Sequence, residues 1–300
     1  MGYAALTRRP PGGEKTWTRT NHRGEPVTLL EGPAVAVAAA AAALAAPGLD
    51  GSVRPALALA GIAAGAVGCY DDLAATGDRR GFRGHLGALA RGEVTTGAVK
   101  LAGIGATGLA ASLLLTGQRA RPGTAGSAAG RLADTAINAG LVAGLANLVN
   151  LFDLRPGRAI KVIMLGSLAL AACGQQAGNA AAAPAGAALA LLPEDLGERA
   201  MLGDAGANAL GAMLGVSAAS GLPRGARIAL LTVVAGLTAA SEKVSFTKVI
   251  ARTPALNWLD MLGRRPAGGP AAPAGQPGDA IPLDLGGRAP SAAAETLPTQ

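Results

Sequence analysis

Four aspartates stand where an apolar chain has least use for them. Asp71 and Asp72 close one apolar run in Gly68-Cys69-Tyr70-Asp71-Asp72. Asp153 follows a second in Asn147-Leu148-Val149-Asn150-Leu151-Phe152-Asp153, and Asp204 opens a third in Leu202-Gly203-Asp204-Ala205-Gly206-Ala207-Asn208. A carboxylate deep in a membrane helix costs about 2.5–3.5 kcal/mol on insertion scales, so such residues gather at membrane edges or in functional sites. Carboxylates at one edge suit a hard cation, and Mg²⁺ favours one or two of them together with water and substrate phosphate. The amides of Asn147 and Asn150 share a helix face at i, i+3 spacing, and Asp153 continues that face to its boundary. Gly203 and Gly206 flank Asp204, which lets a phosphate approach the backbone at a helix N-terminus, where the dipole favours anions. Arg79, Arg80, Arg83, His85, Arg155, Arg158 and Lys161 supply positive charge for a diphosphate. Each motif alone has a plain structural reading, an Asp-Asp pair as a helix end above all. Together they predict a phosphate–metal site.

The elements that must position these groups are apolar runs separated by Gly, Pro and charge, at 33–47, 55–70, 97–117, 132–151, 160–173, 179–193, 203–221 and 226–240. A membrane span needs roughly 20 apolar residues. The runs at 33–47, 160–173 and 179–193 are shorter, and extend into flanking Gly and Ala or tilt or re-enter. The predicted fold is all-α, a polytopic transmembrane helix bundle of about eight spans with cytoplasmic active-site loops. A cytoplasmic N-terminus puts 71–96, 152–159, 194–202 and 241–265 on the same side. Those loops hold Arg79, Arg80, Arg83, Arg91, Arg155, Arg158, Arg199, Lys243, Lys248, Arg252, Arg264 and Arg265, against a smaller set at Arg54, Arg119, Arg121, Arg131, Arg224 and Arg227. The excess of positive residues on one side supports that orientation. It also brings all four aspartates to one face of the membrane, although they played no part in assigning it.

Composition weighs against other classes, although alanine drives membrane insertion only weakly and an alanine-rich soluble helical protein stays open. Hydrophobic residues make up 50% of the chain and charged residues 15%, whereas a soluble domain carries about 25% charged residues. The net charge of +7 could suggest nucleic acid, but the positive residues lie in short loops between apolar runs, so no nucleic-acid partner is expected. Cys69 and Cys173 lack metal-ligand spacing and imply no disulfide framework. The polar, arginine-rich start shows no cleavable signal peptide. Residues 1–32 form a polar cytoplasmic segment, 33–265 the transmembrane domain, and 266–300 a Pro/Gly/Ala-rich tail too poor in apolar surface to order itself. Glu242–Arg252 alternates apolar and basic residues, as an interfacial amphipathic helix or a solvated loop would. Trp17 and Trp258 read as interfacial anchors, Asn138 as an interhelical hydrogen-bonding residue, and Glu194, Asp195 and Glu198 as a solvated acidic loop.

Taken in order, these motifs, with Arg19-Thr20-Asn21-His22-Arg23-Gly24-Glu25-Pro26-Val27 ahead of them, resemble the polyprenyl-phosphate N-acetylhexosamine-1-phosphate transferase family (glycosyl transferase family 4) over most of residues 17–240. The resemblance implies a multi-pass protein of the bacterial inner membrane. It implies transfer of a sugar-1-phosphate from a UDP-sugar to a polyprenyl phosphate such as undecaprenyl phosphate, with Mg²⁺ and release of UMP, in cell-wall glycan or peptidoglycan assembly. A homodimer is common among such proteins. Carried over, Asp71 deprotonates or orients the lipid phosphate with Asp72 beside it, and Asp153 shapes the nucleotide and phosphate site. Asp204, with Asp72, holds the magnesium, and Asn150 lines the uridine-diphosphate cleft. The chain departs from the family in several places. Leu154 follows Asp153 where Gly is usual, and Ala74 and Ala75 stand near the place of a common lysine. Ser245–Pro254 lacks the family's histidine-rich motif, His22 and His85 being the chain's two histidines. The family's first span also precedes the first motif, so that helix is either missing or lies upstream of Met1. A catalytically weakened paralogue that binds polyprenyl phosphate or nucleotide therefore stays open, as does a transporter or structural membrane protein.

Overall fold

The computed structural model describes residues 2–74, 95–117 and 127–266. Arg79, Arg80, Arg83, His85, Arg91, Arg119, Arg121 and the tail from 267 onward lie outside the described residues. The described part is mostly helical. Two short helices, α1 (Gly2–Arg8) and α2 (Glu14–Trp17), lead into an antiparallel pair, β1 (Thr18–Thr20) and β2 (Pro26–Thr28). Eight longer helices follow: α3 (Glu31–Ala45), α4 (Val53–Ala74), α5 (Thr96–Gly117), α6 (Ala128–Phe152), α7 (Arg158–Cys173), α8 (Gln175–Leu196), α9 (Gly203–Gly221) and α10 (Arg224–Ser241). Two short ones, α11 (Phe246–Arg252) and α12 (Pro254–Met261), complete the order.

A helix stands at every apolar run of the sequence. Among the described residues, however, three are long and apolar enough by themselves to cross a membrane: α4, α5 and α6. A fourth is reached if α10 and α11, which meet at 98°, count as one broken span. Of the others, α3 and α7 fall short in length, at 15 and 16 residues, and α8 and α9 in hydropathy, because alanine and glycine, weakly apolar residues, fill them. In α9 that composition serves packing instead. Every residue of α9 except Asp204 and Gly221 is buried, and the helix packs chiefly on α4 and α6 and also on α8, α3 and α7. Small side chains let these backbones approach closely, as in membrane helix interfaces. A Cβ added at Gly68 of α4 would lie 2.2 Å from the carbonyl oxygen of Asp204, so only glycine fits there. The outward faces carry exposed Leu109, Leu113, Leu132 and Leu168, a surface compatible with membrane embedding.

The N-terminal segment folds onto the bundle. Trp17 is 7% exposed, its Nε1 donates to the carbonyl of Pro11 at 2.6 Å, and it packs with Leu29 and Leu30. That corrects the reading of Trp17 as an interfacial anchor: the β1–β2 turn folds its indole inward. Trp258 is 67% exposed. Asn138 of α6 is buried and accepts from Arg227 of α10 at 2.6 Å, while the same guanidinium reaches Asp134 at 3.0 Å.

Candidate functional site

Three helix ends meet at one end of the bundle. Asp71 and Asp72 lie in the last turn of α4, Asp204 in the first turn of α9, and Asp153 at the C-terminal cap of α6. Asp72 accepts from the backbone N–H of Asp204 and of Ala205, both at 3.0 Å. Its two oxygens therefore satisfy donors that every helix start leaves open, in the place where the dipole favours negative charge. Gly203 allows this: its φ is +59°, and a Cβ there would lie 3.0 Å from the Asp72 carboxylate. Arg19 of β1 donates to the Asp72 carbonyl and ties the N-terminal hairpin to the same corner.

Lys100, near the start of α5, completes the cluster. Its ammonium lies 3.2 Å from Asp71 and also contacts Asp204. The sequence reading missed it, because a single lysine in an apolar helix carries no motif. The available signal was its cost: a cation in a span calls for a partner. Its position marks the point between Asp71 and Asp204 as one where positive charge is held. Among the described residues no three acidic, histidine or cysteine side chains stand together as a metal cage. The carboxylate oxygens of Asp71 and Asp204, which share the Lys100 ammonium, are the ones that could meet a cation here. Asp72, expected as a metal ligand, accepts one hydrogen bond on each oxygen from the start of α9.

Asp153 is 8% exposed and its Oδ2 has no hydrogen-bond partner. Burial pushes its carboxyl well above the ordinary range, and the nearby charges of Asp195, Asp204 and Asp72 push the same way. It lines a pocket of ≈ 210 Å³ with Asn21, His22, Arg155, Asp195 and Glu198. The expected solvated acidic loop proves otherwise: Asp195 and Glu198 are 3% and 4% exposed. Helix α8 runs through Pro193 to Leu196, and Glu198 (φ 57°) turns back beneath the N-terminal hairpin. There it accepts from Asn21 and Arg23, both at 2.9 Å. Asp195 accepts from Gly157 N–H at 3.1 Å, yet burial raises its pKa to about 7.

The other expected contacts divide. Asn147 and Asn150 are half-buried near the end of α6. Arg155 reaches the pocket. Arg158 is committed elsewhere: it forms a two-pronged pair with Asp260 of α12 at 2.7 and 3.0 Å, and Lys161 donates to the Asp260 carbonyl at 2.7 Å. Arg83 and His85 lie outside the described residues. Behind the site, Glu31 in the first turn of α3 is fully buried with both carboxylate oxygens unpartnered, a second feature the sequence reading passed over. In comparisons with known proteins, no family model matches the chain and no curated sequence matches it.

Proposed function

We propose that the chain is a membrane phosphoglycosyl transferase, moving a sugar-1-phosphate from a UDP-sugar to a polyprenyl phosphate with release of UMP. In this reading the described helices extend to a bundle of about eight spans, with the aspartate end at the cytoplasmic face of a bacterial inner membrane. The carrying observation is the meeting of Asp71 and Asp204, distant in the chain, on one ammonium beside the Asp72-capped start of α9.

The chemistry needs an activated phosphate oxygen and positive charge where the diphosphate is cleaved. An oxygen of the lipid phosphate attacks the sugar-bearing phosphorus, the bond to the bridging oxygen breaks, and UMP leaves. Asp71 receives or orients the proton of the lipid phosphate. Magnesium, held when bound by Asp204 and Asp71, would neutralise charge growing on the diphosphate. Lys100, whose ammonium lies on those two carboxylates, would give up that place to the ion and offer its charge to the phosphate. Asp153, Asn147 and Asn150 line the approach on α6, and Arg155 at the pocket offers a donor to the nucleotide.

Purified protein in vesicles, given a panel of UDP-sugars and undecaprenyl or decaprenyl phosphate, should release UMP only with Mg²⁺. If Asp71→Asn and Asp204→Asn leave the rate unchanged, the assigned roles are wrong. A second reading, a paralogue that binds lipid phosphate without turnover, is favoured by two facts: Lys100 already bridges Asp71 and Asp204, and Arg158 is bound to Asp260. It predicts saturable binding of polyprenyl phosphate, weakened in Lys100→Ala, and no UMP from any sugar.

A further inference from the structure

Beyond the aspartates, the same end of the bundle carries a feature with its own chemistry. Helix α10 presents exposed Ile228, Val233 and Leu237, and the chain then turns by 98° into α11. If α10 crosses a bilayer, a turn near a right angle lays α11 along its surface. This turn occurs at the aspartate end, because Phe246 of α11 stacks on Phe152, the residue before Asp153, with ring centroids 5.1 Å apart and planes 15° apart.

The elbow is rooted on its inner side. Asp260 of α12 takes the two-pronged pair from Arg158, Arg264 joins it at 2.8 Å, and Thr247 of α11 accepts from the same Arg158 at 3.0 Å. These contacts fix the orientation of both helices. Opposite Asp260, α12 and the residue after it expose Trp258, Met261 and Leu262, Trp258 at 67% and Leu262 at 50%. Helix α11 exposes Lys248 and Arg252, which share one face at i, i+4 spacing. Water gives such a patch no return. A headgroup boundary does, because indole and long aliphatic chains settle there while basic side chains meet lipid phosphates.

We infer that α11 and α12 form an interfacial platform that seats Trp258, Met261 and Leu262 in the headgroup–acyl boundary of the leaflet beside the aspartates, with Lys248 and Arg252 on anionic lipid headgroups. The platform is independent of whether the aspartates turn over a substrate. It fixes the height of the site relative to the lipid, since Asp260 and Phe246 link it to the two helix ends, α7 and α6, that flank Asp153.

The test uses the full chain in phosphatidylcholine vesicles, with and without phosphatidylglycerol, containing lipids brominated either near the headgroup or near the chain end. The chain has two tryptophans, so the difference between wild type and Trp258→Ala isolates Trp258; its exposure makes that variant fold-neutral. Expected is a blue-shifted Trp258 emission quenched more by shallow than by deep bromine. In Lys248→Glu/Arg252→Glu this quenching should weaken in anionic vesicles and stay unchanged in neutral ones. Water-like emission without quenching overturns the proposal, and so does blue-shifted emission without quenching, which would mean a protein surface covers the patch. Stronger deep quenching would make α12 part of a span and overturn it equally. If the charge reversal changes nothing in anionic vesicles, the assignment of Lys248 and Arg252 falls.

Discussion

The two ends of the helix bundle treat charge in opposite ways. At the end where α6 and α10 begin, Arg227 meets Asp134 and Asn138, and Arg224 meets Asp134 again at 3.1 Å. Cation and anion close on one another there and hold two helices together. At the other end Asp71, Asp72, Asp153 and Asp204 converge, and among the described residues the cation that touches their side chains is Lys100. Negative charge is in excess, and one carboxylate oxygen of Asp153 is buried without a partner. A buried charge left short of partners is expensive. Asp153 keeps such an unpartnered oxygen at the aspartate end, while Asp134 at the other end is paired with Arg224 and Arg227.

The comparison is broken most sharply at Asp204. Replacing one preorganised electrostatic group of an active site costs on the order of 100–1,000-fold in rate. Asp204→Asn should therefore cut UMP release by about that factor while thermal unfolding in detergent is little changed. A rate within twofold of wild type, about 0.4 kcal/mol, would make the aspartate end as purely structural as the other. Next in size is Gly68→Ala. The added methyl would overlap the Asp204 carbonyl, so α4 and α9 must part; overpacking of this kind costs about 1–3 kcal/mol, read as a lower unfolding temperature together with lost activity. If both survive, the close contact of the two helices is not what sets the site.

Arg227→Ala probes the paired end. Asp134 is partly exposed, so water softens the loss, and stability should drop by about 1–2 kcal/mol. Turnover per folded molecule should stay at the wild-type value. An effect on turnover would mean the two ends are coupled.

Asp195→Asn sharpens the picture through pH. Its carboxyl titrates near 7 in the fold and near about 3.9 unfolded. The folded state therefore binds more protons between those values, and stability falls as pH rises through them. Asparagine cannot ionise. The variant should match wild type near pH 4 and exceed it at pH 8 by something on the order of 1 kcal/mol. A gap that does not change with pH would mean that Asp195 titrates normally.

How much of this was legible in the sequence depends on the range of the interaction. The eight long helices follow from runs of apolar residues, because a helix satisfies its own backbone within a few residues. The aspartates could be placed at helix ends for the same reason, since charge and apolar run exclude each other locally. Asn138 could be read as an interhelical partner because a buried amide needs one. Arg158 shows where this kind of reading stops: its neighbours in sequence suggested a phosphate contact, but Asp260, far along the chain, holds its guanidinium. Asp195 and Glu198 looked solvated because, with Glu194, they read as an acidic loop, and acidic side chains are mostly exposed. Only the return of the chain beneath the N-terminal hairpin buries them.

What the sequence determined by itself, then, is the set of helices and the side of the bundle on which each carboxylate ends, both of which are matters of local hydrophobicity and backbone satisfaction. Tertiary structure alone decided that Lys100 stands between Asp71 and Asp204, that Asp72 caps α9 and that Trp17 turns inward. These depend on how closely helices remote in sequence can approach. That distance is set by glycines such as Gly68, whose missing side chain lets two backbones touch.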